Sequence, residues 1–581
     1  MSGGFGAHAR IWGSPQDFVE SGPVLGRKVA NVSFLSAFLK ADPYDAYHFF
    51  ASGPGARAEM EAWLHDAAPS LMRRGAARVL DRTRLQASLA ETRYHCMHLP
   101  DALTLYTPLM QARNAFAANL FPVTGLTHSL SYAHFMGRYL DHLWPGVTRR
   151  DGIIATSTCA GAVLERAYAA LRREYGLDAA AFPAPGLSHI PLGVAAESMP
   201  GPGERHDAEG GDAARAMRRR LGIGGEPVFL CFARFCHQSK MDLMPLFSAF
   251  RRAEGLGLPP GGYALIMAGW AEEDDALPES LLAMAQGLGI KARLVVRPTA
   301  PERRALYAAA DVFVSPSDNI QETFGLTVAE AALAGLPAVA SDFDGYRDIV
   351  EDGVTGLLVP TMGFGLSGET DVQARLWFDN QYHLKMAQET ALSVPALAGA
   401  LAALGTDGAL RRAMGEAARQ RGLALFSWDR VLERWVALWD TLAATPLSQE
   451  EKDRARKARH PRLMPFAELF AGHFTNTLGG GASPDMTLAR TPLGDALYRG
   501  ELPLVRYAGM ELMLDPEAVR LMLLAARRPV PVRELLNRLE RHFVRAAPAW
   551  AAAERAAFTV LWSLKQDYLE RTDAPGSPSE Q

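Results

Sequence analysis

A chain of 581 residues, 48% of them hydrophobic and 21% charged, has the make-up of a soluble globular protein with material for several cores. A formal net charge of −4 gives no overall reason to expect nucleic acid or anionic lipid as the main partner. The four cysteines, Cys96, Cys159, Cys231 and Cys236, form no C-x-x-C pair and have no suitably spaced histidine beside them, which argues against a disulfide framework or a zinc site and for a reducing compartment. The opening MSGGFGAHARIWGS lacks the basic stretch and apolar core of a secretory signal. No uninterrupted apolar run reaches the ~18 residues that a bilayer span requires. The expectation is a cytoplasmic protein, with peripheral contact at the inner face of a membrane left open.

In chain order, RIW near residue 11 reads as a first strand, KVANVSFLSAFLK as a helix and DAYHFF as a strand. PVTGLTHS and GIIATS follow as strand-like runs, then a helix through AVLERAYAALRREYG. The stretch 197–215, rich in Gly, Pro and charge, reads as a linker or exposed loop. Between about 226 and 360 the rhythm is clearest: PVFLCFA, YALIMAG, ARLVVR, DVFVSPS, LPAVAS and TGLLVP are short apolar runs suited to strands buried on both faces. Helix-like segments separate them. One is capped by Asp242, one carries Pro301 in its first turn, and one opens near Phe324 and stops at Gly335. Such alternation predicts a parallel, doubly wound sheet, whose ligands bind beyond the carboxyl ends of the strands.

After residue 360 comes an irregular insertion, TMGFGLSGETDVQARLWFDNQYHLKMAQET, then two helices, the second (SWDRVLERWVALWDTLA) with Ser427 as its cap. The expected domains are residues 1–200 (Rossmann-like), 201–445 (Rossmann-like), a charged linker at 446–462, a small mostly helical domain at 463–571 and a disordered tail at 572–581. In the fourth, PVPVRELLNRLERHF and AERAAFTVLWSLKQDYLER are the strongest helices, and short strands within YRGELPLVRYAGMELML would make it winged-helix-like. Its arginines are interspersed with acids, so no DNA-binding stripe is evident.

The chemistry concentrates in QETFGLTVAEAALAGLPAVASDFDGYRDIVEDGVTGLLVP. Glu322 lies in a loop after a strand, and Glu330 lies two turns inside the next helix. A helix N-terminus offers free N–H groups to an anion. A loop carboxylate accepts hydrogen bonds from sugar hydroxyls, and a carboxylate in the helix can grip a ribose diol. In FARFCHQSKMDLMPLF, Arg234 follows a buried strand and Lys240 precedes a helix. Two cations there stabilise a diphosphate leaving group most as the bond to it breaks.

This segment resembles the signature of the retaining GT-B glycosyltransferases of family 4, an E-x7-E pattern with FGL between the acids. The resemblance covers about 226–440 well and 1–200 loosely, and ends near 445. It implies a GT-B architecture, two Rossmann-like domains facing across a cleft, here followed by the mostly helical C-terminal domain. It implies catalytic roles for Glu322, His128, Arg234 and Lys240. It implies substrate contacts for Glu330, Thr323, Phe324, Gly325, Leu326, Gly22, Gly26 and Arg297. Glu322 would touch the transferred sugar and Glu330 the nucleotide ribose. His128 would position the sugar, with His134 as the competing candidate. Gly22 and Gly26 sit in a loop similar to the family's glycine-rich loop, and Arg297 ends a strand where the base is read.

Three departures matter. Thr323 stands where the family often has Gly, so that position must avoid positive φ. Arg234 and Lys240 are six positions apart, with Met241 replacing the usual Gly. Leu192 in IPLGV replaces Asn, so that element is read as structural. The implied reaction moves a sugar from a nucleotide-diphosphate sugar to an acceptor hydroxyl with retention, without a metal or other cofactor. The acceptor is left open among glycan, lipid-linked glycan, protein and small molecule. Two other readings stand beside it: a non-catalytic regulatory protein that binds a nucleotide sugar, and a nucleotide-sugar epimerase.

Overall fold

The computed structural model describes residues 9–572 apart from 20–25, 237, 378–380, 461, 463–464, 476, 479–485, 508–509, 511–512 and 545–548. The proposed glycine at position 22 and the tail beyond residue 572 lie outside the described residues. Cα packing divides the chain into two compact units. One comprises residues 1–80, 94–110 and 121–455, and the other residues 81–93, 111–120 and 456–581.

The larger unit holds two sheets. The first is built from β1 (Ile11–Ser14), β2 (Ala46–Ala51), β3 (Ala77–Asp81), β4 (Cys96–Leu99), β5 (Val123–Leu126), β6 (Gly152–Ala155) and β7 (Gly186–His189). Its order is β3-β2-β1-β4-β5-β6-β7. The second is built from β8 (Val228–Phe232), β9 (Ala264–Gly269), β10 (Ala292–Val296), β11 (Val312–Ser315), β12 (Ala338–Ser341) and β13 (Gly356–Val359). Its order is β10-β9-β8-β11-β12-β13, with every neighbouring pair parallel. In each sheet the order reverses beside the first strand, which opens a crevice at the carboxyl ends. The strands run to four to six residues each. β8, β9 and β11 bury nearly every side chain, so their sequences are unbroken apolar runs rather than alternating ones.

Two chain crossings join the sheets, and they lie side by side. The Val194 N–H donates to the Phe426 carbonyl at 2.7 Å, and the Trp428 N–H to the Val194 carbonyl at 3.1 Å. Gly193 is needed here because a Cβ would overlap the Trp428 ring. The helix Trp428–Ala444 then returns to the first sheet. Its Trp435 and Trp439, both fully buried, pack among Trp12, Phe34, Phe38 and His98. Ser427 stands at the cap position of that helix but does not cap it; its hydroxyl donates backward to the Leu423 carbonyl at 2.8 Å.

In the smaller unit an antiparallel sheet of Thr487–Arg490, Val530–Pro531 and Leu569–Arg571 packs with helices Pro516–Ala525, Val532–Phe543 and Ala549–Lys565 around Leu488, Leu535, Leu539 and Val560. The stretch 498–514 forms no strand among its described residues. Its first part belongs to the helix Pro492–Arg499, whose Thr491 caps one end and Gly500, in the left-handed region, closes the other. The charged segment 446–462 is not extended: Gln449–Lys457 is helical.

Candidate active site

A cavity of about 830 Å³ in the larger unit is walled by loops that leave the carboxyl ends of β4, β5, β8, β9, β10 and β11. Glu322, His128, Arg234, Lys240, Glu330, Thr323, Phe324, Gly325, Leu326, Gly26 and Arg297 all line it, and so does the competing His134. Residues spread over three hundred positions of sequence thus converge on one space.

The E-x7-E segment differs from its expected form in one respect. The helix runs Leu326–Leu333, two residues later than expected, so Glu330 lies one turn inside it rather than two. Gly325 causes the delay: its φ of +100° is outside the helical region, and a Cβ there would overlap the Tyr346 ring. The position that takes positive φ is therefore Gly325, while Thr323 is absent from the positive-φ residues. The sharp turn before the helix frees its first N–H groups.

The Lys240 ammonium lies 3.1 Å from Glu322 Oε2. Burial pushes the Glu322 carboxyl up, but Lys240 and the backbone N–H groups of Thr323 and Phe324 outweigh this and hold it below the usual carboxylate range. Arg234 donates to the Ser239 hydroxyl at 2.7 Å, while its buried Nε finds no acceptor among the described residues. A buried guanidinium N–H left open beside a cavity is what an anionic ligand would satisfy.

His128 Nε2 is 2.8 Å from the Pro100 carbonyl. A carbonyl only accepts, so Nε2 carries the proton and Nδ1 keeps its lone pair. Burial lowers the imidazole pKa to about 4, so the ring is neutral at pH 7 and Nδ1 is an acceptor. Arg297 adopts φ +52° and donates to the Ala271 carbonyl at 2.8 Å, which turns the chain at the end of β10.

Glu330 is 3% exposed, and its carboxylate is shared. The Tyr307 hydroxyl donates to Oε2 at 2.9 Å, and the Arg303 guanidinium pairs with Oε1. Burial and the Glu330 charge together push the Tyr307 phenol up, so it remains a neutral donor. Arg303 and Tyr307 were not foreseen, and Arg303 lines the cavity. A signal was present: one acid in the apolar helix VAEAALA needs a buried cation, and Arg303 and Tyr307 share one face of their helix four residues apart.

Two more buried acids flank the site. Burial pushes the Asp344 carboxyl up to about 7, and the Glu322 charge adds to this; the Ser157 hydroxyl bonds it at 3.4 Å. Burial likewise holds Asp318 up to about 7; its Oδ2 accepts the Asp242 N–H at 3.0 Å. Asp242 also accepts the Met244 N–H at 2.9 Å, so it caps its helix from two residues outside. Among the described residues no group of three His, Cys, Asp or Glu side chains is arranged to hold a metal ion. No helix among them is long and apolar enough to cross a membrane.

Two sheets that turn their strand ends toward a common cavity give the larger unit a GT-B architecture. Residues 226–363 match the family described as glycosyl transferases group 1. A D-inositol 3-phosphate glycosyltransferase of Nocardia farcinica is 36% identical over 154 residues, 26% of this chain and 33% of that protein. A GDP-mannose-dependent alpha-(1-6)-phosphatidylinositol monomannoside mannosyltransferase of Mycolicibacterium smegmatis is 31% identical over 185 residues, 30% of this chain and 44% of that protein. The chain spans between about a third and a half of the length of the curated relatives it matches. Similar solved structures include a glycosyltransferase from Rickettsia africae (TM-score 0.49, 13% identity, 76% of this chain and 100% of that one). Another is Anabaena HepE in complex with UDP and glucose (TM-score 0.46, 15% identity, 75% of this chain and 100% of that one).

Proposed function

We propose that this protein transfers a glycosyl group from a nucleotide-diphosphate sugar to an acceptor hydroxyl, with retention of anomeric configuration and without a metal. The observation that carries the reading is the meeting of Glu322, Lys240, Arg234, His128 and Glu330 on one cavity at the strand ends. Each group suits one part of such a donor. Glu330 and the turn at Gly325 suit the ribose and the start of the nucleotide. Arg234, Lys240 and the N-terminus of the helix Leu326–Leu333 suit the diphosphate, whose negative charge grows as the glycosidic bond breaks.

Glu322, ionised beside Lys240, accepts hydrogen bonds from sugar hydroxyls. His128 is neutral and its free Nδ1 accepts, so it orients a hydroxyl rather than removing a proton from it. Retention follows from the family resemblance, in which the acceptor attacks from the face the leaving group vacates. The cations do the work a divalent metal would do at the diphosphate, which is the basis of the metal-independent reading. A cytoplasmic setting is part of the same proposal.

The test is a thermal-shift screen of UDP, GDP and ADP sugars against the wild type and Arg234→Ala. A donor at a hundred times its dissociation constant stabilises by about 2.7 kcal/mol. The expected result is one nucleotide that stabilises the wild type, loses its effect in Arg234→Ala, and yields a product of unchanged anomeric configuration by NMR. Binding without turnover over a broad acceptor panel would instead favour a nucleotide-sugar-binding regulator. Turnover of the donor to its epimer would favour an epimerase. No binding at all would remove the transferase reading.

A further inference from the structure

The insertion at residues 361–392 leaves the second sheet after β13 and closes on itself through Thr361–Met362 paired with Ala391–Leu392. Its helix Gln381–Gln388 reaches the loop that follows β5. The Tyr382 hydroxyl donates to the Ser131 carbonyl at 3.1 Å and accepts the Ala133 N–H at 3.0 Å. Gln321, the neighbour of Glu322, bonds His383 Nδ1 at 2.7 Å and the Tyr132 hydroxyl at 3.3 Å. The Gln321 carbonyl accepts the Ser129 hydroxyl at 3.0 Å. Tyr382, His383 and Gln321 are buried. The insertion, the Glu322 loop and the β5 loop are thus one polar network.

Beside this network lies a second cavity of about 470 Å³. Tyr132, His134 and Gly137 wall one side, and Arg375, Trp377 and Tyr382 of the insertion wall the other. Tyr132 and His134 also line the main cleft, so the two spaces share a wall. The size is within the ~300–1,000 Å³ range of small-molecule sites. The lining is unlike that of the main cleft. Trp377 and Tyr132 bring aromatic rings to it, and among the described residues no acid lines the cavity. Arg375 is exposed. Flat rings suit the C–H face of a sugar, and an exposed guanidinium suits a carboxylate or phosphate.

We infer that this cavity is an acceptor subsite, built by the insertion, for a saccharide that carries an anionic substituent. The ring lies against Trp377 and Tyr132, and the anion meets Arg375, with His134 as a further hydrogen-bond donor or acceptor. The inference rests on the transferase reading above, and it makes the insertion the part of the chain that selects the acceptor.

The test is titration of the full chain with methyl glucuronide, glucose 6-phosphate and methyl glucoside, followed by calorimetry and saturation-transfer NMR. The variants are Arg375→Gln and Trp377→Ala, and the donor nucleotide is titrated into the same samples. The wild type should bind one anionic probe about tenfold more tightly than methyl glucoside, the preferred probe distinguishing carboxylate from phosphate. Arg375→Gln should abolish that preference, and Trp377→Ala should weaken all probes, with donor affinity unchanged in both. Equal binding of charged and neutral probes, indifference to both variants, or no binding at about 10 mM (ten times a 1 mM dissociation constant) would each overturn the subsite. With donor binding intact, such a result leaves the transferase reading standing. Loss of donor binding in the wild type removes that reading instead.

Discussion

Glu330 answers to two demands, and Glu330→Gln separates them. Its carboxylate holds Tyr307 on Oε2 at 2.9 Å and Arg303 on Oε1. A carboxylate has about four lone-pair positions, so about two remain for a ribose diol. Glutamine keeps the volume and one acceptor oxygen but removes the charge. In the free protein Arg303 then loses its counterion. Removing one partner of a fully buried pair costs about 3–5 kcal/mol. The Arg303 side chain is 29% exposed, so water shares the burden. The expected loss of stability is about 1–3 kcal/mol.

In the liganded protein two charge-assisted bonds become neutral ones. Charged hydrogen bonds contribute about 1.5–3 kcal/mol and neutral ones about 0.5–1.5, so the loss is about 2–3 kcal/mol over two bonds. That is on the order of a 30- to 150-fold weaker nucleotide. Calorimetric titration of the preferred nucleoside diphosphate, beside urea unfolding of both proteins, reads the two effects separately. A variant that loses stability yet binds nucleotide within about threefold of the wild type would refute the argument. Glu330 would then be only the strut that holds Arg303 and Tyr307.

Two further outcomes follow from the buried charges. In Lys240→Met, Glu322 loses the cation that opposes burial, so its carboxyl should rise from its lowered position. The acid limb of the kcat/KM profile should move up by about one pH unit or more, and an unmoved limb would show that Glu322 ionisation does not govern turnover. Burial holds Asp318 up to about 7, so the folded chain keeps a proton there that the unfolded chain releases near pH 4. Stability therefore falls as pH rises from about 4 to about 7 and levels off above. Asp318→Asn should remove this decline, of the order of a few kcal/mol, and make the variant more stable than wild type at about pH 8 by urea unfolding.

The second sheet was legible because its strands are buried on both faces, so apolar runs alternate with helices without ambiguity. The residues of the E-x7-E segment were legible because their chemistry is local. Strands such as Cys96–Leu99 and Gly186–His189 were missed for the opposite reason. The first carries His98, which is fully buried and bonded to Thr124 at 2.9 Å, a pairing no local pattern reveals. The second is exposed at both ends and has little apolar signal. The helix start was misplaced at Phe324 because only the packing of Tyr346 against Gly325 shows where the chain must turn. The insertion read as irregular since its helix is specified by what it touches, Ser131 and Gln321, rather than by its own periodicity.

The returning helix has a consequence in time. The first sheet's last strand ends at His189, while the tryptophans that fill its core belong to a helix that begins at Trp428. Ribosomes add roughly 5–20 residues per second, so on the order of ten to fifty seconds separate the two during synthesis. Throughout that interval the slot formed by Trp12, Phe34 and Phe38 lacks its plug. The first sheet is begun before the second and completed after it, and a nascent chain paused anywhere between them presents an aromatic groove to whatever waits at the tunnel exit.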